Sequence, residues 1–302
     1  MDFRDSLFDA IHDIVRADPR SAVLTNDMGA MGFDAIRAEF PDRAINVGIA
    51  EQNLISVASG LALSGIRVFA FGIAAHVATR CLEQIKLDLC VPHADVVLIG
   101  FGPGLAYGAD GPTHHATEDV ALMRALPGMA VYTPADPPSA HACVRLAHAA
   151  GGPAYIRLDR EAVPCDLPPP ADATGLRVVH AAGEIAMVTH GILLHSARAA
   201  IAAAGVETRL IDLYRIKPID EEALLAALSG VRAVIAAEEH NPVGGLGAAL
   251  CEIAMRRRAG FTVDTLALPD RFLTGAATRA WAHREFGLDE TGLAAALHRL
   301  AE

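Results

Sequence analysis

Short apolar runs alternate with helical patterns along the chain, and this alternation constrains the fold more than any other feature. A strand–helix–strand order favours parallel pairing, with helices on both faces of the sheet. We therefore predict an α/β fold with largely parallel sheets flanked by helices. The predicted strands cover residues 21–25, 44–47, 67–71, 95–101, 130–133 and 154–158, and then 184–189, 207–212, 232–237 and 262–266.

A proline-rich segment, residues 159–177, separates the two series of strands. It contains Pro164, Pro168, Pro169 and Pro170. Stacked prolines fix an extended backbone and cannot join a central strand. A length of 302 residues also suggests two domains, at about 150 residues each. We predict a first domain over residues 1–160, a linker over 161–178 and a second domain over 179–302.

Composition narrows the class of protein. A net charge of −11 argues against nucleic acid or an anionic membrane surface as the main partner. The odd count of five cysteines, with no C-x-x-C pair, suits a reducing compartment better than a disulfide framework. Neither an apolar signal core nor a long uncharged apolar run is present. We predict a soluble, cytoplasmic protein.

One carboxylate marks the junction between a predicted strand and a predicted helix in residues 45–53. Glu51 lies there among Ile49, Leu54 and Ile55. If the side chain is buried, desolvation favours its neutral form and makes it a proton carrier. The alternative is an acidic residue that complements the free N–H groups of a helix's first turn. Position alone favours the alternative, whereas the surrounding motif favours the first interpretation.

Two glycine-rich stretches are candidate ligand loops. Residues 100–111 follow a predicted strand, but no helix begins where a dinucleotide phosphate would need one. We interpret them as a loop that brings backbone close to a ligand. Residues 244–247 precede a predicted helix, and tight strand-to-helix packing is favoured there over an anion site.

Several motifs resemble one enzyme family. Residues 46–53 read NVGIAEQN and residues 107–119 read YGADGPTHHATED. In this order they resemble the pyrimidine-binding and C-terminal parts of the transketolase family of thiamine-diphosphate enzymes, over nearly the whole chain. Later landmarks of the family match at residues 123–127, 134–136, 155–160, 216–220, 238–240 and 244–247.

The resemblance assigns cofactor-binding roles. Glu51 would hydrogen-bond N1′ of the aminopyrimidine and promote loss of the thiazolium C2 proton. Ile73 and His76 take the positions of two phenylalanines against which the aminopyrimidine packs. Asp27 falls at a further cofactor-binding position. An imidazole can still stack on the ring, so cofactor binding survives these replacements.

The resemblance also assigns substrate-binding roles. His114 would face the reactive carbon of the cofactor and act in catalysis with Glu51, and Asp110 would bind a substrate hydroxyl. Arg4 and Arg160 correspond to phosphate-facing arginines of the family, and an arginine fork suits a phosphate. The alternative for both arginines is an ordinary surface position.

Two departures weaken the assignment of a phosphorylated substrate. Gly102 replaces a histidine that contacts the phosphate end of the donor, and Met31 aligns with a phosphate-binding serine. The resemblance therefore leaves open an unusual or unphosphorylated sugar.

The resemblance covers only the C-terminal half of a transketolase. No Gly-Asp-Gly occurs in the chain, so the diphosphate-binding domain and its Mg²⁺ (or Ca²⁺) would belong to a separate N-terminal subunit. We expect no metal ligand here and an α2β2 heterotetramer with thiamine diphosphate at the interfaces. The helical stretches 49–63 and 81–91 would contribute to that interface, unless their apolar faces are plain core.

The predicted function is transfer of a two-carbon ketol unit from a ketose to an aldose. One alternative is a pyruvate-using enzyme, similar to deoxyxylulose-phosphate synthase or to the β subunit of a 2-oxo acid dehydrogenase E1. Another is a non-catalytic structural or regulatory subunit. The intact blocks around Glu51 and His114 favour transketolase.

Overall fold

The computed structural model describes residues 2–170, 174–275 and 277–302, and within them the chain forms two sheets and their covering helices. The strands are β1 Ser21–Thr25, β2 Ala44–Asn46, β3 Arg67–Ile73, β4 Val96–Phe101, β5 Ala130–Tyr132, β6 Ala154–Leu158, β7 Arg177–His180, β8 Ile185–Thr189, β9 Thr208–Asp212, β10 Arg215–Lys217, β11 Ala233–Ala237 and β12 Thr262–Leu266. The helices are α1 Phe3–Ala17, α2 Met31–Glu39, α3 Glu51–Leu63, α4 Leu82–Gln84, α5 Asp119–Ala125, α6 Pro137–Ala150, α7 Leu193–Ala204, α8 Glu221–Ala227, α9 Leu246–Arg257, α10 Arg279–Glu285 and α11 Glu290–Ala301. None of the helices in these ranges is long and apolar enough to cross a membrane.

Both sheets are mainly parallel, as the sequence predicted. The first has seven strands in the order β10-β5-β6-β4-β3-β1-β2, and the second has five in the order β12-β11-β8-β9-β7. Every predicted apolar run forms a strand, with ends that differ by at most two residues. The predicted fold class is therefore confirmed.

Two edge strands were not predicted, and both run antiparallel to their neighbours. β7 pairs with β9. β10 follows β9 of the second sheet in the chain, but it pairs with β5 of the first sheet. Both are short and mix charged with apolar residues, so they lack the apolar run by which the other strands were recognised. β7 begins at Arg177, before the predicted linker 161–178 ends. Residues 171–173 of that linker lie outside the described ranges.

Alternating side chains of β3 build a core on each face of the first sheet. Phe69 and Phe71 are fully buried against α1 and α6, and the ring of Phe71 meets that of Phe8 edge-on at 5.2 Å. On the opposite face, Leu54 and Ile55 of α3 are fully buried. Burying one such side chain contributes about 1.5–3 kcal/mol. These contacts hold the start of α3 against the carboxyl ends of the strands.

The chain after β3 departs from a regular helix. Residues His76–Arg80 and Ile85–Cys90 are π-helical and flank the short helix α4. A plain helix over residues 81–91 was expected. Widened turns of this kind occur frequently at functional sites. Here the first π-helical turn begins just after the carboxyl end of β3, and ligands bind at the carboxyl ends of strands in parallel sheets.

Candidate active site

Glu51 lies at the first position of α3 and is 4% exposed. Its Oε1 accepts a hydrogen bond from Asn26 Nδ2 at 3.0 Å, and its Oε2 accepts one from Arg80 Nη1 at 2.6 Å. His76 Nδ1 lies 3.7 Å from Oε1. The carboxylate that the sequence singled out is therefore buried, and side chains from two other segments surround it.

The ionisation of Glu51 differs from the sequence-based expectation. Burial raises the pKa of Glu51, but its own backbone N–H, the hydrogen bond and charge of Arg80, and the nearby His76 together lower it below its usual value. The expectation that desolvation would favour the neutral acid was therefore wrong. The reason is Arg80, which lies 29 residues further along the chain and belongs to no motif that we recognised.

One imidazole, His76, lies next to this carboxylate, and a second, His114, lies against the first. The rings of His76 and His114 meet at 5.0 Å between centroids, at 61°. Burial, and then the charges of Arg80 and His114, lower the pKa of His76 below its usual value. A lowered pKa favours the neutral imidazole, which can both donate and accept a hydrogen bond. Thr113 Oγ1 lies 3.0 Å from His114 Nδ1 and orients that second ring.

An open cleft of about 480 Å³ lies beyond His114. Asp110 lines it from a short 3₁₀ turn, Gly108–Asp110, and Arg160 lines it from the segment after β6. The Arg160 guanidinium lies 4.7 Å from the centre of the Tyr107 ring. Tyr107 also packs its ring on His114, at 5.8 Å. Asp110 and Arg160 therefore face one cleft, and Tyr107 connects that cleft to the His114 ring. The sequence had not singled out Tyr107.

Arg4 is placed near this cleft by α1. Its guanidinium lies 5.0 Å from the centre of the Phe101 ring, at the end of β4, and 3.7 Å from the carboxylate of Asp2. Burial raises the pKa of Tyr107, and the positive charges of Arg160 and Arg4 oppose that rise. Both arginines therefore act electrostatically on the same phenol, from opposite ends of the first domain's sequence.

Gly102 has a structural reason to be glycine. Its φ is +70°, and a Cβ there would lie 2.2 Å from Cε2 of Tyr107. The tyrosine ring occupies the space that a side chain at this position would need. A histidine, which the family carries here, cannot be accommodated unless Tyr107 moves. Met31, the other departure, has its side chain exposed.

Asp27 and Ile73 lie at strand ends that border the Glu51 site. Asp27 has a φ of +70° and exchanges two hydrogen bonds with the side chain of Asn46, each at 2.9 Å. It directly follows Asn26, the residue that binds Glu51. Ile73 ends β3, in register with Phe101 of β4. Asp27 and Ile73 therefore lie at the carboxyl ends of two neighbouring strands, β1 and β3, of the first sheet.

A second buried carboxylate lies behind the cleft and was missed by sequence reasoning. Glu239, just after β11, accepts hydrogen bonds from the backbone N–H of Leu105 at 2.8 Å, from Arg279 Nε at 2.7 Å and from His283 Nε2. Arg279 also donates to Asp159, which follows β6, at 2.6 Å. This network joins the two sheets behind the cleft loop. Only the landmark at residues 238–240 hinted at it.

The glycines of residues 244–247 serve packing, as the sequence favoured. The N–H groups of Leu246 and Gly247, at the start of α9, donate to the buried carboxylate of Glu238 at 2.7 and 2.9 Å. A Cβ on Gly247 would lie 2.3 Å from Thr265 Oγ1. The helix N-terminus is therefore already occupied by a side chain of the protein.

Comparison with known proteins identifies the family. Residues 1–166 match the transketolase pyrimidine-binding domain, and residues 175–293 match the transketolase C-terminal domain. The chain belongs to the transketolase family. It contains the pyrimidine-binding and C-terminal domains of that family, in the order that the motifs predicted.

Curated relatives include separate transketolase subunits. The chain is 33% identical to an apulose-4-phosphate transketolase subunit of Phocaeicola vulgatus, covering 96% of this chain and 94% of the relative. It is 34% identical to a 6-deoxy-6-sulfo-D-fructose transketolase subunit of Clostridium sp., covering 82% and 79%. Against 1-deoxy-D-xylulose-5-phosphate synthase of Syntrophus aciditrophicus it is 32% identical, but it spans only 45% of that longer protein.

Solved structures agree with this assignment. A split-gene transketolase, described as an inactive β4 tetramer, superposes with a TM-score of 0.89 and 33% identity over 98% of this chain and 97% of that one. A transketolase from Pichia stipitis superposes with a TM-score of 0.81 over 99% of this chain and 45% of that one. At 16% identity, the second likeness shows the fold alone.

Proposed function

We propose that this chain is one subunit of a two-component, thiamine-diphosphate-dependent transketolase, which moves a two-carbon ketol unit from a ketose to an aldose. The observation that carries the proposal is the buried Glu51 carboxylate beside His76, whose ring in turn meets that of His114. Full-length similarity to separate transketolase subunits supports it. The chain would act with an N-terminal subunit that carries the diphosphate-binding domain.

The residues present fit the aminopyrimidine half of thiamine diphosphate. A buried carboxylate at a helix start offers an acceptor, and the partly buried Ile73 and His76 offer an apolar and a flat surface. Bound there, the cofactor would supply a carbanion and an electron sink. Glu51 would hold the proton at the pyrimidine ring, and Asp27 would border the ring's edge. We assign Mg²⁺ to the partner, together with the diphosphate-binding domain.

The cleft residues would bind the sugars. Asp110 and His114 present a carboxylate and an imidazole that can hydrogen-bond hydroxyls near neutral pH. Arg160 and Arg4, whose charges both act on Tyr107, would bind a phosphate or another anionic end of the sugar. Tyr107 contacts both the Arg160 guanidinium and the His114 ring. We place the substrate chain along this line, from His114 to Arg160.

An apolar surface supports docking of the N-terminal subunit. Four large apolar side chains are exposed near α3 and the second π-helical segment. Ile49 lies just before α3, Leu63 ends it, Leu87 lies in the π-helical segment and Val91 follows that segment. Large exposed apolar side chains that form one contiguous patch are typical of protein interfaces, and we infer that these four form such a patch. Ile49 precedes Glu51 closely in the chain, so we infer that a partner docked over it would help to close the cofactor site. We infer an α2β2 assembly of a protein that works in the cytoplasm, where its free cysteines would stay reduced.

Cofactor titration tests the proposal. We expect tight thiamine-diphosphate binding only when this chain is mixed with its N-terminal subunit in the presence of Mg²⁺. The mixture should then transfer ketol units from ketose donors to aldose acceptors. Equally tight binding by this chain alone would contradict the requirement for a partner, and an absence of binding in the mixture would favour the non-catalytic alternative.

Similarity to deoxyxylulose-phosphate synthases keeps the pyruvate-using alternative in the experiment. If the mixture decarboxylates pyruvate faster than it transfers ketol units, that alternative replaces our proposal. We expect the reverse, because the relatives that this chain matches over most of their length are transketolase subunits.

A further inference from the structure

Glu51 is held at both carboxylate oxygens by side chains outside the family motifs. Asn26 donates to Oε1 from the end of β1, and Arg80 donates to Oε2 from the π-helical segment after β3. Asn26 lies 25 residues before Glu51 in the sequence, and Arg80 lies 29 residues after it. Charge-assisted hydrogen bonds of this kind are the strong ones.

We propose that Asn26 and Arg80 form a two-donor clamp that positions the Glu51 carboxylate, with Asn26 fixing its place and Arg80 supplying its counter-charge. The proposal rests on the proposed function, because it concerns the carboxylate that would meet the cofactor. Both are positioning residues, since they act through Glu51.

Asn26 is the rigid member of the clamp. Its side chain is 5% exposed, and its Oδ1 is buried with no hydrogen-bond partner among the described residues. A Cβ on Gly72 would lie 3.0 Å from that Oδ1 and 2.6 Å from Val77. Glycine at position 72 therefore leaves the room that Asn26 occupies. The Asn26 side chain therefore packs in the room beside Gly72, with its Nδ2 3.0 Å from Glu51 Oε1.

Arg80 is the adjustable member. Its side chain is 51% exposed although its guanidinium lies 2.6 Å from a buried oxygen. The π-helical segment also carries His76, so one segment presents both groups to Glu51. The charged and titratable groups facing the carboxylate are Arg80, His76 and the buried Cys81 thiol, whose pKa burial and Glu51 raise to about 12. Among the side chains that lower the pKa of Glu51, Arg80 has the larger effect, through its hydrogen bond and its charge, and His76 has the smaller one.

The two members predict different defects. In Arg80→Gln, burial is no longer opposed by a full charge, so the pKa of Glu51 rises. The acidic limb of the kcat/KM profile should then move to higher pH by about one unit. In Arg80→Lys, which keeps the positive charge, the acidic limb should stay close to its wild-type position. In Asn26→Ala, one hydrogen bond to a charged group is lost, so thiamine-diphosphate affinity falls about tenfold. The limb should move in the same direction but less than in Arg80→Gln, because no full charge is removed.

The test is a pH titration of the Glu51 carboxyl group, monitored by infrared difference spectroscopy. Glu51→Gln provides the reference spectrum, so the Glu51 band is identified by subtraction from the wild-type chain. Arg16→Gln is the matched control, because Arg16 is 55% exposed and pairs with Glu39 away from the site. We expect the Glu51 titration to move in Arg80→Gln and to stay in Arg16→Gln and Arg80→Lys.

Each measurement tests one member of the proposed clamp. An unmoved Glu51 titration in Arg80→Gln, or an equal movement in Arg16→Gln, would overturn it. Unchanged cofactor affinity in Asn26→Ala of the assembled enzyme would remove Asn26 from it. The infrared titration needs neither partner nor substrate, so the clamp can stand even if the mixture has no transketolase activity. Circular dichroism confirms that each variant is folded.

Discussion

Two buried glutamates have arginine partners, and they differ in how completely they are satisfied. Glu51 receives two side-chain donors, and its arginine, Arg80, is 51% exposed. Glu239 receives a backbone N–H, two nitrogens of Arg279 and one of His283, and Arg279 is only 10% exposed. The neighbours of Glu239 lower its pKa strongly although burial raises it.

The difference separates a chemical site from a structural one. A fully paired carboxylate cannot accept a new partner without leaving another charge buried and unpaired. Glu239 is therefore fitted to join the two sheets. Glu51 has a partner that water can replace, so it can exchange hydrogen bonds with a ligand. The same residue type serves two purposes because its surroundings differ.

Glu51→Gln should give the largest effect on activity. A glutamine cannot hold or release the proton, and positioned acid–base groups contribute about 10²–10⁴-fold. We expect the kcat of the partner-reconstituted enzyme to fall at least about 100-fold, with the urea midpoint of unfolding little changed. Glu39→Gln, on the exposed surface of α2, is the control and should keep full activity. Activity of Glu51→Gln within a few-fold of wild type would refute the proton role.

Arg279→Leu should give the largest effect on stability. It leaves Glu239 and Asp159 as buried carboxylates without their cation, a change that costs about 3–5 kcal/mol. The measurement is the free energy of unfolding in urea. Arg16→Leu, at an exposed pair, should leave the midpoint nearly unchanged. If both variants lose the same stability, the Glu239 network is not the structural counterpart of Glu51 that we describe.

Gly102→Ala should disturb the cleft through Tyr107. The added Cβ would lie 2.2 Å from that ring, and the φ of +70° adds backbone strain. Overpacking and strain of this kind cost about 1–3 kcal/mol in the free energy of unfolding. Gly111→Ala is the matched control, since its φ is +78° and no atom lies within 4 Å of an added Cβ. A loss no larger than that of the control would show that Tyr107 yields easily.

Arg160→Gln should give the smallest effect, confined to substrate binding. Loss of one guanidinium that contacts an anionic sugar end should raise KM about tenfold, with kcat little changed. The comparison is between phosphorylated and unphosphorylated sugars of the same length. An equal KM change for both classes would mean that Arg160 supports the Tyr107 ring and does not bind the anion.

Sequence patterns predicted the strands that carry continuous apolar runs. β7 and β10 escaped because an antiparallel edge strand needs no such run, and the pairing of β10 with β5 joins segments far apart in the chain. The positions of Asp110 and His114 within one short loop were also predictable, because both belong to one motif. Tyr107 belonged to the same motif, and only its contacts with Arg160 and His114 reveal its part in the cleft.

The sequence by itself determined the α/β class, the family and the position of Glu51 at a helix start, because periodicity and short motifs are local properties. The tertiary structure alone decided how Glu51 ionises. The pKa of a buried carboxylate depends on the charges within a few ångströms, and Asn26 and Arg80 reach it from 25 and 29 residues away. The joining of Glu239 to Arg279, across 40 residues, was decided in the same way.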